Sequence, residues 1–144
     1  MKVILDDFVN KELIEYLKTQ EGILDVKLNE IDTYIEVNVK HNEKITPYII
    51  MKHIDLFLES TYPSIIQFNK ELNVKTKHMH YEAGDMCCEY CYKGFIKEMF
   101  DNNKIISIKS NYDIYNPAID IKFEIEYDEK YSEEEVINFI KENI

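Results

Sequence analysis

Sliding the chain over itself by 82 residues sets Leu13, Ile14 and Leu17 on Phe95, Ile96 and Met99, and Ile23-Leu24-Asp25-Val26 on Ile105-Ile106-Ser107-Ile108. The match extends over about seventy residues, the signature of an internal repeat. A repeat of that length in a chain of 144 residues predicts two small related units.

Three glycines and three prolines give little punctuation, so element boundaries come from periodicity and caps. In the first half, residues 3–5 read as a short strand. Asp6 or Asp7 then caps a helix in which Val9, Leu13, Ile14 and Leu17 recur at helical spacing, and Gly22 stops it. From residue 23 the period becomes two. Leu24, Val26 and Leu28, a turn near Asp32, and Ile35, Val37 and Val39 predict a hairpin with one buried face. Thr46 caps a second helix with Pro47 at its first position and a stripe of Ile50, Ile54, Phe57 and Leu58. Pro63 and Ser64 lead into a last short strand, Ile65-Ile66-Gln67-Phe68, completing the order βαββαβ.

The second half repeats that order. Residues 76–82 alternate as a strand, a cysteine cluster follows, and Phe95, Ile96, Met99 and Phe100 mark a helix that Asn102-Asn103 ends. Ile106 and Ile108 begin the next strand. After a loop at 111–117, Ile119, Ile121, Phe123 and Ile125 alternate with charged residues, with Ile121, Phe123 and Ile125 predicted as a buried face. Ser132-Glu133-Glu134-Glu135 is a capping box before a helix with the stripe Val136, Phe139 and Ile140. The fold predicted is α+β: two ferredoxin-like units in tandem, over 1–70 and 76–144, each an antiparallel sheet with helices on one face and the second lacking the last strand. In a βαββαβ unit the spatial strand order is 4-1-3-2, so that loss exposes the edge of strand 76–82. The expected cover is the same strand of a second chain in a homodimer, or the segment 68–74 folding back.

Seventeen lysines, no arginine and 28 acidic residues leave a net charge of −11, divided almost evenly between the halves. That excludes a nucleic-acid partner, which needs clustered basic residues and guanidinium forks, and an anionic membrane surface would repel the chain. There is no run of 18 apolar residues, and the N-terminus reaches Asp6 and Asp7 after too short an apolar stretch for a signal peptide, so a cytoplasmic location without membrane insertion is expected.

Three cysteines packed into Met86-Cys87-Cys88-Glu89-Tyr90-Cys91 do not form a disulfide framework and read as reduced thiols acting together. Cys88 and Cys91 fall where a strand passes into an amphipathic helix. Exposed N–H groups and the helix dipole favour thiolates there, and two intervening residues let both sulfurs converge on one ion. Redox dithiols and structural zinc sites share the C-x-x-C spacing.

Gly84-Asp85-Met86-Cys87-Cys88-Glu89-Tyr90-Cys91 resembles the Gly-Met-x-Cys-x-x-Cys loop of heavy-metal-associated domains, the metal-carrying modules of copper chaperones, mercury-binding proteins and metal-pumping ATPases, with Asp85 inserted. Phe95-Ile96-Lys97-Glu98-Met99, Lys104-Ile105-Ile106-Ser107-Ile108 and Phe123-Glu124-Ile125-Glu126-Tyr127-Asp128 are similar to that family's first helix, second-strand entry and third strand. The resemblance covers residues 76–143; the first half is similar in pattern only, a degenerate copy with Asp6 and Val9 in place of the two cysteines.

The resemblance implies that Cys88 and Cys91 are metal ligands and that Met86 supports the loop. Cys87, at the variable position, is a third candidate. Two thiolates suit Cu(I), whereas a third would suit Zn(II) or Cd(II). One ion per chain is expected, exchanged with a metal-transport or metal-receiving protein without catalysis. His78 and His80 share one strand face and read as an exposed pair, His41 and His53 as solvated, and the tyrosines as packing residues with wet hydroxyls. The alternatives are a thiol-disulfide oxidoreductase using Cys88 and Cys91, or an interaction module in which neither thiol matters.

Overall fold

The computed structural model describes residues 1–6, 9, 11–59, 62–84, 86, 88–113 and 120–144. In chain order its elements are β1 (Lys2–Leu5), α1 (Lys11–Lys18), β2 (Ile23–Ile31), β3 (Tyr34–His41), α2 (Pro47–Leu58), β4 (Ile65–Asn69), β5 (Thr76–Ala83), α3 (Glu89–Asp101), β6 (Ile105–Ser110), β7 (Ile121–Asp128) and α4 (Glu133–Glu142). The fold is α+β, with the strands in one antiparallel sheet of order β2-β3-β1-β4-β6-β7-β5.

Several local features follow directly from their residues. The Thr46 side chain accepts the Ile49 N–H at 3.3 Å and Pro47 opens α2. Ser132 and Glu135 form the reciprocal capping box of α4. Asp32 takes the left-handed conformation in the β2–β3 turn. Asn102 ends α3 by donating to the carbonyls of Glu98 and Met99 and accepting from the N–H groups of Lys104 and Ile105.

Two separate sheets were expected from the sequence, and the strands instead form one. The joint is β4 against β6, with Phe68 opposite Ile108 and Asn69 opposite Ser107, extended by the Lys70 N–H bonding the Ile106 carbonyl at 2.9 Å. Pairing two strand ends satisfies backbone groups that each half alone would leave at an edge. The bridging segment 68–74 therefore starts beside β6, and among the described residues no strand pairs with the outer side of β5.

One apolar row crosses all seven strands: Leu28, Val37, Val3, Phe68, Ile108, Ile125 and Met79, each directly opposite the next. Buried residues of all four helices join it in a single core, so the helices cover this face. The neighbouring row, Lys27, Asn38, Lys2, Asn69, Ser107, Glu126 and His78, lines the other, open face. Val37 and Val39, and Ile121, Phe123 and Ile125, are buried as their alternation predicts, with Ile35 half-buried.

The register is interrupted between Ile23 and Asp25 in β2 and between Ile105 and Ser107 in β6, positions separated by the same 82 residues as the sequence repeat. A bulge breaks strict alternation. It leaves Leu24, expected on the buried face, 57% exposed and lets both Ile105 and Ile106 be buried. Asp6 does not cap α1, which begins at Lys11; its carboxylate pairs with Lys93 instead. Asp7, Pro117 and Ile119 lie outside the described residues.

Candidate functional site

β5 ends at Ala83, and the chain passes through Gly84 and Met86 to Cys88, the N-cap of α3. Cys88 has extended backbone and makes no side-chain capping bond, while its carbonyl accepts the Tyr92 N–H at 3.2 Å. Cys91 is the third residue of the helix. The two Sγ atoms are 3.5 Å apart, and both residues are exposed.

The helix holds this turn from its other side. Tyr92, fully buried, donates from its hydroxyl to the Ile66 carbonyl at 2.8 Å, and the same hydroxyl lies 2.6 Å from Ser110 Oγ. Its ring stacks on Tyr112 with centroids 3.9 Å apart. Burial pushes the Tyr92 hydroxyl far above its ordinary ionisation range, and the bond to Ser110 only partly offsets this. Tyr112 is pushed up to about 12, first by burial and then by the charges of Glu89, Tyr34, Cys88 and Asp6. Lys93 pairs with Asp6 and Lys97 with Asp55 at 3.2 Å, so two ion pairs add to the Tyr92 bond in tying α3 to the first half. Tyr90, by contrast, is exposed against Tyr62, ring centroids 4.5 Å apart.

Cys88 and Cys91 are the residues that could hold a soft cation here. Two metal–sulfur bonds of about 2.3 Å at a tetrahedral angle hold their sulfurs about 3.8 Å apart, close to the separation found here. An ion held there would have its remaining coordination positions open to solvent. Among the described residues no group of three His, Cys, Asp or Glu side chains converges on one point. Cys87 lies outside the described residues. Met86 and Cys91 both line a cleft of about 370 Å³ that also reaches Gly94 and Phe95.

The histidines stand elsewhere. His78 and His80 are exposed on the open face of the sheet, opposite the helix layer, with His78 Nε2 3.6 Å from Glu126. His53 and His41 are not simply solvated: His53 Nδ1 bonds the Tyr16 hydroxyl at 3.0 Å and His41 Nδ1 lies 3.0 Å from the Asn42 carbonyl, both partly buried. Tyr92, expected to keep a wet hydroxyl, is the residue that sequence reading undervalued. Its helical spacing with Phe95, Ile96 and Met99 is the signal for its burial.

No helix among the described residues is long and apolar enough to cross a membrane. Comparison with family models, curated proteins and solved structures finds no match.

Proposed function

We propose that the chain binds a soft metal ion at Cys88 and Cys91 and passes it to a partner by ligand exchange. The observation that carries this reading is the pair of exposed sulfurs 3.5 Å apart at the start of α3. An exposed dithiolate lets a partner's thiolates enter before its own leave, so the ion is transferred without being released. We read the two halves as tandem ferredoxin-like units of the heavy-metal-associated kind: β2-β3-β1-β4 repeats the expected strand order, and β6-β7-β5 repeats it without a fourth strand. The first half is then a fused scaffold that holds α3 through Asp6 and Asp55. Reduced thiols point to a cytoplasmic location, and the net charge of −11 favours a basic metal-transport or metal-receiving partner.

Native mass spectrometry of the reduced protein, titrated separately with Cu(I), Zn(II) and Cd(II), tests the reading. One ion per chain is expected, lost in the double variant Cys88→Ser, Cys91→Ser. Full stoichiometric binding by that variant excludes the site. The same sulfur separation suits a redox dithiol, so an insulin-reduction assay is the companion measurement: turnover without metal binding would favour the thiol-disulfide oxidoreductase.

A further inference from the structure

The two ends of the sheet are built differently. β2, at one end, is broken by the bulge between Ile23 and Asp25 and carries Asp25, Lys27 and Glu30. Bulges and charges are the usual means of blunting an edge. β5, at the other end, pairs with β7 along all eight residues, Thr76 opposite Asp128 through Ala83 opposite Ile121, without a break or a proline. No strand among the described residues lies on its outer side. It is a long, regular edge whose charged residues are Lys77 and Glu82 alone.

The ladder's phase identifies the groups on that edge. The Glu129 N–H bonds the Lys75 carbonyl at 3.0 Å, so residues 75 and 129 form a hydrogen-bonded pair. Hydrogen-bonded and non-bonded pairs alternate along antiparallel strands. Lys77, Met79, Tyr81 and Ala83 therefore bond β7, while Thr76, His78, His80 and Glu82 direct both N–H and C=O outward.

We propose that this edge pairs antiparallel with β5 of a second copy of the chain, on a two-fold axis through His80. An axis perpendicular to the sheet keeps both helix layers on one side and restricts central registers to those centred on a residue. Centring on Met79 sets His78 opposite His80 of the other copy twice. Centring on His80 sets His78 opposite Glu82 in both halves and Met79 opposite Tyr81 on the helix side, extending the apolar row across the joint. In the second register each His78 imidazole N–H faces a carboxylate acceptor and only His80 faces its own mate, whereas the first opposes imidazole to imidazole twice, which selects the second register. Both His78–Glu82 pairs lie on the open face, where Glu126 and Lys122 already oppose those two residues within each chain.

In this register Ala83 and its symmetry mate stand about six residues apart along the strands, roughly 20 Å. The two cysteine pairs therefore stay separate, and the pairing is independent of metal binding.

Amide hydrogen exchange of the full chain across a concentration series, paired with sedimentation analysis, tests the proposal. A dimer should form as concentration rises, with the amides of His78, His80 and Glu82 slowing in step while those of Lys77, Met79 and Tyr81 are slow throughout. His80→Pro removes an outward N–H and spares the β7 ladder, so it should remain folded by circular dichroism and lose the dimer. A strict monomer at high concentration overturns the proposal. So does a dimer in which the His78, His80 and Glu82 amides exchange as fast as in the monomer, or one that a folded His80→Pro variant retains.

Discussion

Asp6 and Lys93 form an ion pair between the end of β1 and the first turns of α3, each side chain only 10% exposed. The 82-residue repeat places Asp6 where the second half has Cys88, so the position that carries a thiol in one copy anchors the thiol-bearing helix from the other. Lys93 follows Cys91 by two residues, and Glu89 lies 3.9 Å from its ammonium. The pair therefore fixes the turn on which both sulfurs sit.

Removing one partner of a nearly buried pair leaves the other charge desolvated. Asp6→Leu or Lys93→Met should each cost about 3 kcal/mol, and the double variant Asp6→Leu, Lys93→Met should recover much of that loss. A double-mutant cycle in urea measures the coupling. Single losses below about 0.5 kcal/mol would make the contact no stronger than a surface pair.

Two glycines should respond in opposite ways. Gly22 has φ of +96°, and a Cβ there would meet Ile45 Cγ2 at 2.9 Å, so Gly22→Ala should destabilise by about 1–3 kcal/mol. Gly94 lies inside α3, and a Cβ would find nothing within 4 Å. Gly94→Ala should stabilise by about 0.5–1 kcal/mol, since it removes only the helix-interior cost of glycine. Thermal unfolding of both variants checks the pair.

Strand and helix identities were legible because alternation and stripes report burial directly, as Val37 and Val39 in β3 and Ile121, Phe123 and Ile125 in β7 demonstrate. The joint between the halves was not. Phe68 and Ile108 are equally good core residues in one sheet or two, and only tertiary pairing of β4 with β6 decides between them. Bulges are hidden for a related reason: one extra residue shifts phase without changing composition, as at Leu24. At the site, the Cys88–Cys91 spacing was readable because a helix start fixes where both sulfurs point. The Asp6–Lys93 pair, which links residues 87 positions apart, leaves no local pattern.

Lys70 is buried where the bridge leaves β4, its ammonium donating to the Asn102 carbonyl at 2.6 Å beside the rings of Phe68 and Phe100. Burial holds its pKa down to about 8, against a smaller upward pull from Asp101. The unfolded chain therefore binds more protons than the folded one between about pH 8 and the ordinary lysine value, and stability gains from this group as pH rises through that window. The burial penalty is fully present below the folded value. Unfolding midpoints of the wild type and Lys70→Met should thus move in the wild type's favour between about pH 7.5 and about pH 9.5. A constant difference would mean that Lys70 titrates normally.

The metal preference of the site turns on how many thiolates each ion needs. Cu(I) is satisfied by two, which under the proposed function Cys88 and Cys91 would supply from one helix turn. Zn(II) and Cd(II) call for more donors, and no third His, Cys, Asp or Glu joins the pair among the described residues. Cys87 is the remaining thiol in the cluster. If Cys87 is the third ligand under the proposed function, Cys87→Ser should leave Cu(I) binding within a few-fold of wild type and weaken Zn(II) and Cd(II) by about tenfold or more, since water would take the place of a thiolate. Because each thiol must lose its proton to bind, the affinity of the wild type for every ion should rise with pH until the thiols are ionised, more steeply for a three-thiolate ion than for a two-thiolate one. Competition titrations against a chromophoric chelator at several pH values read both effects. Equal slopes for Cu(I) and Zn(II), together with equal losses on replacing Cys87, would assign that residue to the loop and leave two thiolates as the whole of the protein's donor set.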